Sequence, residues 1–326
     1  MKPKVYVTRQ LPEEVLAIIH QSCDARAWED IDLPVPRDVL EREITDVEGL
    51  YCLLTDQVDK ALLERAPRLK VISNMAVGYN NIDVEEATRR GIMVTNTPGV
   101  LTETTADLTF ALLMATARRL PEASEYLRKG SWQTWSPMLL TGQDVYGATL
   151  GIIGMGRIGE ALVKRAHGFN MNLLYYNRTR KPEVEEAYDI RYTDMDELLS
   201  VSDFVCVLIP YSTETRDLIG AKELRQMKPT AVLINTARGG IVNEEALYEA
   251  LRVGTIWAAG LDVFDREPVA PDHPLLTLPN LVSLPHIGSA SVATRMKMSR
   301  LAADQLIDAI YGRRPANLVN PSTWGG

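Results

Sequence analysis

The sequence predicts an α/β protein built from two similar doubly wound parallel-sheet domains, and three observations carry that expectation. The chain has 326 residues, enough for about two domains at roughly 150 residues each. Short β-rich runs alternate with helix-prone segments in two separate series. A glycine-rich turn, Gly154-Met155-Gly156-Arg157-Ile158-Gly159, lies between an apolar run and a helical stretch near the start of the second series.

The first series has strand candidates at 4–8, 49–54, 69–75 and 92–96. Charged helix-prone segments at 11–21, 36–45 and 84–90 separate them. The turn Thr97-Pro98-Gly99 closes the series. A long helix is expected over 101–120, with Thr102 as N-cap. Leu108, Ala111, Leu112 and Ala115 recur at i, i+3, i+4 and i+7 and mark its expected apolar face. Residues 121–147 read as irregular and include Trp132, Trp135, Pro137, Gly142 and Gly147. That is long for a simple connection. Because tryptophan is enriched at subunit contacts, the expectation is an arm across a dimer interface; the alternative is a meander packed on its own chain. The second series places strands at 149–154, 172–177, 204–209, 231–235, 258–263 and 281–284, followed by a helix over 291–310.

Composition narrows the function classes. Apolar residues make up 46% and charged residues 24%, the balance of an ordinary globular protein rather than a disordered one. Lys and Arg number 35 against 43 Asp and Glu, a net charge of −8, which argues against a nucleic-acid surface. No run approaches the ~18 apolar residues of a membrane span. The first seven residues enter a strand-like run without the apolar core of a secretory signal. Cys23, Cys52 and Cys206 are odd in number and form no CxxC pair, which fits a reducing compartment. The expectation is a cytoplasmic protein with no membrane, nucleic-acid or metal partner.

The glycine turn has the strand–turn–helix context of a dinucleotide site. Gly154 would make the tight turn, Gly156 would let backbone approach a pyrophosphate, and Gly159 would let helix and strand pack closely. Unpaired N–H groups and the positive dipole end at the helix start suit phosphates. A carboxylate about 20 residues on would bind the 2′-hydroxyl of NAD. Here the next strand ends in Asn177-Arg178-Thr179-Arg180-Lys181. Neutral Asn177 and Thr179 with cationic Arg178, Arg180 and Lys181 suit a 2′-phosphate, so NADP(H) is expected to be preferred, with NAD(H) left open. The alternative is a solvated cluster of charge.

Nicotinamide chemistry on a carbonyl needs a proton donor, a grip on the substrate anion and a group that tunes the donor. Arg238, in Asn235-Thr236-Ala237-Arg238-Gly239-Gly240, can grip a carboxylate and polarise a carbonyl, or pair with a neighbouring acid. Two glycines after it would let the backbone bend closely round a ligand. Of four histidines, His20, His167 and His273 read as helix-end or solvated residues. His286, between an apolar run and Ile287-Gly288-Ser289, is placed for acid–base work. Glu267 and Asp265 are rival carboxylates for the imidazole, and Asp262 could hydrogen-bond a carboxamide of the cofactor.

These motifs together resemble the D-isomer-specific 2-hydroxyacid dehydrogenases, and within them the glyoxylate/hydroxypyruvate reductases. The resemblance runs over essentially the whole chain, through Val77-Gly78-Tyr79-Asn80-Asn81-Ile82-Asp83, Thr104-Thr105-Ala106-Asp107, the glycine turn, the Arg238 loop, 262–268 and Pro285-His286-Ile287-Gly288-Ser289. It implies a Rossmann-type cofactor domain, 101–286 with a dimerisation arm at about 121–147, inserted in a flavodoxin-like substrate domain formed by 1–100 and 287–326, with the active site in the cleft between them. It implies a catalytic set of Arg238, Glu267 and His286. The Val77 and Gly78 backbone and Ser289 would meet substrate, and Trp135 would reach a neighbouring subunit's site in a homodimer. Cofactor contacts would come from Thr105, the turn residues Gly154, Gly156, Arg157, Ile158 and Gly159, the Asn177–Arg180 loop, Pro210, Thr215, Thr236, Ala237, Arg238, Asp262, His286 and Gly288.

The implied reaction is reduction of a small 2-oxoacid, glyoxylate or hydroxypyruvate, by hydride from NADPH. His286 would supply the proton, supported by Glu267, while Arg238 binds the carboxylate and polarises the carbonyl. The alternatives within the family are 2-ketogluconate, D-lactate and phosphoglycerate dehydrogenases; outside catalysis, a dinucleotide-sensing corepressor shares the fold.

Overall fold

Strands of a parallel sheet are covered on both faces and therefore read as nearly unbroken apolar runs. The computed structural model describes residues 1–325 and turns such runs into two parallel sheets, one in each of two units. The first unit comprises Met1–Leu101 and Ala290–Gly326, the second Thr102–Ser289.

In the first unit, β1 (Lys4–Val7), β2 (Asp24–Ala27), β3 (Gly49–Cys52), β4 (Val71–Asn74) and β5 (Met93–Thr95) pair in the order β2-β1-β3-β4-β5, all parallel. This is the flavodoxin-like order, reversing between β1 and β3. One face buries Tyr6, Leu50, Cys52, Ile72 and Val94 with Leu62 and Leu63. Each of the leucine, isoleucine and valine side chains among them stabilises the fold by about 1.5–3 kcal/mol relative to exposure. The other face takes the C-terminal helix Val292–Ile310. Tyr51 Oη donates to Ser299 O at 3.2 Å and Ser73 Oγ to Ala302 O at 2.7 Å. Gly49 makes the approach close, since a Cβ there would lie 2.7 Å from Ile310 Cδ1.

In the second unit, β6 (Thr149–Ile153), β7 (Asn172–Tyr176), β8 (Arg191–Tyr192), β9 (Phe204–Val207), β10 (Val232–Asn235), β11 (Ala258–Leu261) and β12 (Leu281–Ser283) pair in the order β12-β11-β10-β9-β6-β7-β8, again all parallel. This is the Rossmann order with one strand added at an edge. Alternation divides each strand between two cores. Phe204, Cys206, Val232 and Ile234 face one, and Val205, Val207 and Leu233 face the other.

Three local expectations change. The strands β2 and β8 lie at sheet edges, and the sequence Asp24-Ala25-Arg26-Ala27 is half exposed; such an edge carries no apolar run to read. The long helix spans Thr102–Ala117 and buries Thr105, Ala106, Thr109, Phe110, Leu113, Thr116 and Ala117 as well as Leu112. Ala111 is exposed, and Leu108 and Ala115 are only half buried. Two of these threonines satisfy their hydroxyls within the helix: Thr109 Oγ1 donates to Thr105 O and Thr116 Oγ1 to Leu112 O, both at 2.8 Å. Counting apolar residues alone therefore selected the wrong face. Finally, 121–147 is not irregular throughout. Arg119 turns the chain at φ 51° and a second helix, Leu120–Arg128, follows.

Candidate active site

The glycine turn follows β6, where the strand order reverses towards β9. Gly154 has φ +104°, and a Cβ there would lie 2.6 Å from Ile209 Cγ2 and 2.8 Å from Leu208 C, just past the end of β9. Gly159 carries the helix Arg157–His167 against the turn, since its Cβ would fall 2.6 Å from Gly154 O. Gly156 differs: a Cβ would meet nothing within 4 Å. Its bareness leaves space on the outer side of the turn. Gly156 is also the N-cap, with no side-chain cap on the helix amides. Exposed Arg157 and half-buried Ile158 begin that helix. Open space at uncapped N–H groups fits a phosphate.

At the end of β7 the basic residues part company. Arg180 grips Glu185 through both Nε, 2.8 Å, and Nη2, 2.7 Å, and lies over the Tyr192 ring at 5.8 Å. Lys181 Nζ pairs with Glu160 at 3.0 Å. Asn177 Nδ2 donates to Thr179 O at 2.8 Å, which closes the turn. Arg178 is exposed and has no carboxylate partner among the described residues. The loop thus presents one uncommitted guanidinium rather than three free cations.

The Arg238 loop follows β10 and is shaped by Asn235. Asn235 Oδ1 accepts the Ala237 amide at 3.0 Å, and its Nδ2 donates to Arg238 O at 2.9 Å. Arg238 is half buried, its Nη1 on Ala237 O at 2.7 Å. Burial lowers its pKa from the ordinary value, while the charge of Glu267 opposes that shift. Gly239 serves the protein's own packing rather than a ligand: a Cβ would lie 1.8 Å from Phe264 O. Thr236 is buried, its hydroxyl 2.7 Å from that of Thr109.

Beyond β11 and β12 the chain brings Glu267 and His286 together. Glu267 Oε2 lies 2.6 Å from His286 Nδ1, and its Oε1 accepts the Phe264 amide at 3.0 Å. Burial would raise the Glu267 pKa, but the hydrogen bond and charge of His286, the Phe264 N–H and Arg238 outweigh it and hold the carboxyl below its ordinary value. Asp265 is exposed and its amide turns to Glu244 Oε1 at 2.6 Å, which leaves Glu267 as the partner of the imidazole. His286 has φ 55°, and its amide donates to Asp262 O at 3.0 Å. The buried Asp262 carboxylate takes the Ile287 and Gly288 amides at 2.8 and 2.7 Å. Burial raises its pKa, opposed by those two N–H groups and the charge of His286. Asp262 therefore shapes the turn that presents the imidazole.

The remaining positions are more dispersed. Thr105 Oγ1 is buried with no hydrogen-bond partner, beside the place where a Cβ on Gly288 would lie. Thr215 Oγ1 donates to Pro210 O at 3.0 Å and accepts the Ser212 amide at 2.7 Å. Ser289 is half buried. In the first unit, Val77 O and Gly78 O accept from Asn96 Nδ2 and Asn74 Nδ2 at 2.8 and 2.9 Å, and neither amide has an acceptor among the described residues. Asn74 and Asn96 escape a motif search, since a single asparagine at a strand end is the only signal; Asn235 stands in the Arg238 motif, but its bonds across the loop do not show in the sequence. Trp135 is 76% exposed. His167 Nε2 lies on Tyr188 O at 2.6 Å. His273 is half buried rather than solvated, 3.2 Å from Glu244.

Arg238, Glu267 and His286 thus follow the carboxyl ends of neighbouring strands in the sheet that carries the glycine turn, where an open α/β sheet binds ligands. The bare Gly156, the uncapped helix and the unpartnered Thr105 hydroxyl fit a dinucleotide.

Comparison with known proteins shows the family. Residues 110–288 match the family model for the D-isomer specific 2-hydroxyacid dehydrogenase NAD binding domain. A glyoxylate reductase of Korarchaeum cryptofilum is 51% identical over 98% of this chain and 96% of its own, and one of Thermococcus litoralis is 52% identical over 98% and 97%. The crystal structure of an NADPH-dependent glyoxylate/hydroxypyruvate reductase from Sinorhizobium meliloti, in complex with NADP and malonate, superposes with a TM-score of 0.85 at 35% identity, covering 99% of this chain and 98% of that one. With the fold, the glycine turn and near full-length relatives in agreement, the chain belongs to the D-isomer-specific 2-hydroxyacid dehydrogenase family.

Proposed function

We propose that the protein reduces small 2-oxoacids, glyoxylate and hydroxypyruvate, to the corresponding 2-hydroxyacids, with NADPH preferred over NADH. The observation that carries the reading is the His286 Nδ1–Glu267 Oε2 contact of 2.6 Å, in the same unit as Arg238 and the glycine turn. When bound, the reduced nicotinamide supplies a hydride to the C2 carbonyl carbon. The carbonyl oxygen gains negative charge as this happens, and His286 donates a proton to it from Nε2. Glu267, held ionised, fixes the ring with its Nδ1–H towards the carboxylate and stabilises the imidazolium before transfer. Arg238 offers a fixed positive charge to the substrate carboxylate and the polarised carbonyl. The free Val77 and Gly78 amides are further donors for a carboxylate, and Ser289 a further polar contact. In the reverse direction neutral His286 acts as the base.

The cofactor preference rests on Arg178 and on the absence of a carboxylate at the end of β7, where NAD-binding sites place one. Gly154, Gly156, Arg157, Ile158 and Gly159 would hold the pyrophosphate. Thr105, Pro210, Thr215, Thr236, Ala237, Asp262 and Gly288 would line the rest of the dinucleotide site. Trp132, Trp135 and Met138 are exposed on the segment after the helix Leu120–Arg128, which supports a homodimer formed through this arm. Three free, buried cysteines support a cytoplasmic setting.

His286→Ala tests the reading. Turnover of glyoxylate falls by about 10²–10⁴-fold, the scale of general acid–base catalysis, while NADPH binding measured by fluorescence is retained. Near-normal turnover would overturn it.

A further inference from the structure

The loop that carries Glu267 is held from behind by a group outside the candidate active site. Glu244 opens the helix Glu244–Arg252, shortly after the Arg238 loop. Its Oε1 accepts the Asp265 amide at 2.6 Å, and its Oε2 lies 3.2 Å from His273 Nε2. The His273 ring stands edge-on to Phe264, centroids 6.2 Å apart. Gly239 closes on the same backbone from the Arg238 side, where a Cβ would lie 1.8 Å from Phe264 O. The Phe264 amide then donates to Glu267 Oε1 at 3.0 Å. The 264–265 peptide is therefore clamped from two directions, and Glu267 is bonded to the N–H of the adjoining 263–264 peptide, on the other side of Phe264. Among the described residues no hydrogen bond or ion pair links Glu244 to His286 or Arg238.

We infer that Glu244, braced by His273, is a positioning residue that holds the 264–265 backbone so that Glu267 meets His286 Nδ1 in hydrogen-bonding geometry. This rests on the reading of Glu267 and His286 as the acid–base pair. An N–H bond to a carboxylate is among the stronger ones. Without it the Asp265 amide turns to water and the loop gains freedom. A displacement of about 1 Å at a reacting group costs up to about 10²-fold in rate.

Proton NMR of the full-length enzyme tests this independently of activity. A 2.6 Å bond from an imidazole N–H to a carboxylate gives a downfield proton resonance, assigned by its loss in Glu267→Gln. In Glu244→Ala that resonance broadens or moves upfield and kcat for glyoxylate falls about 10- to 100-fold, with the Kd for NADPH unchanged. Glu244→Gln keeps an oxygen for the Asp265 amide and restores most of both. His273→Phe keeps the ring against Phe264 and removes only the brace, so it shows a smaller loss in the same direction, and it decides the matter where Glu244→Ala does not fold. An unmoved resonance with wild-type kcat, or a lower melting temperature alone, in the folded variant would overturn the inference. If Glu267→Gln itself leaves the resonance and kcat intact, the acid–base reading fails first and takes this one with it; a failure confined to Glu244 and His273 leaves that reading standing.

Discussion

His286 holds a left-handed backbone, φ 55°, a conformation that costs a non-glycine residue about 1–2 kcal/mol. The turn that imposes it is tied by Asp262 through its carbonyl and both carboxylate oxygens. Strain over-determined in this way is found where geometry matters to function. The Glu267 carboxyl is held below its ordinary value, so it takes up a proton at a lower pH than an unpaired glutamate does. Activity that depends on the carboxylate is present above the lowered value and is lost as pH falls through it. The acid limb of kcat/KM is therefore expected below the ordinary pKa of a glutamate in the folded enzyme, and absent in Glu267→Gln, whose activity is low throughout. An acid limb of the same position in both would contradict the assignment. Arg178 makes a separate prediction. Arg178→Ala raises KM for NADPH by about 10- to 100-fold, as loss of a charged hydrogen bond of about 1.5–3 kcal/mol implies, and leaves KM for NADH unchanged. An equal loss with both cofactors would place Arg178 elsewhere.

Among the elements, the glycine turn separates packing from binding. Gly159→Ala brings a Cβ within 2.6 Å of a backbone oxygen. Overpacking of this kind costs about 1–3 kcal/mol, so the melting temperature falls along with cofactor affinity. Gly156→Ala meets no protein atom within 4 Å. It should leave the melting temperature unchanged while raising the Kd for NADPH, because the added methyl occupies the space facing the phosphates. Equal thermal effects in the two variants, read by differential scanning calorimetry, would contradict this division. The same scale shows where sequence reading stops. The turn was legible because its spacing and its context coincide. The rivalry between Asp265 and Glu267 is not settled by their positions, because both follow β11; the family resemblance points to Glu267, and the bonds of Glu267 to Phe264 N–H and His286 show which carboxylate turns inward. The paired state of Arg180 was also hidden, since Glu185 is just another charge in a helical segment until the loop folds back on it. The buried face of the helix Thr102–Ala117 is not legible because Thr105, Thr109 and Thr116 lie on it and carry no apolar signal.

At the scale of the molecule, the alternation of apolar runs and helices was enough for two parallel α/β sheets, and whole-length relatives place the chain in its family. The edge strands β2 and β8 were missed because a half-exposed strand need not be apolar. The remaining question is which reaction this fold performs, and the most direct measurement is of initial rates of NADPH and NADH oxidation with glyoxylate, hydroxypyruvate and pyruvate. The account predicts fast reduction of glyoxylate and hydroxypyruvate, with a higher kcat/KM for NADPH than for NADH. No oxidation of either cofactor with any of the three acids would contradict the proposed reaction, and a preference for NADH would contradict the role given to Arg178.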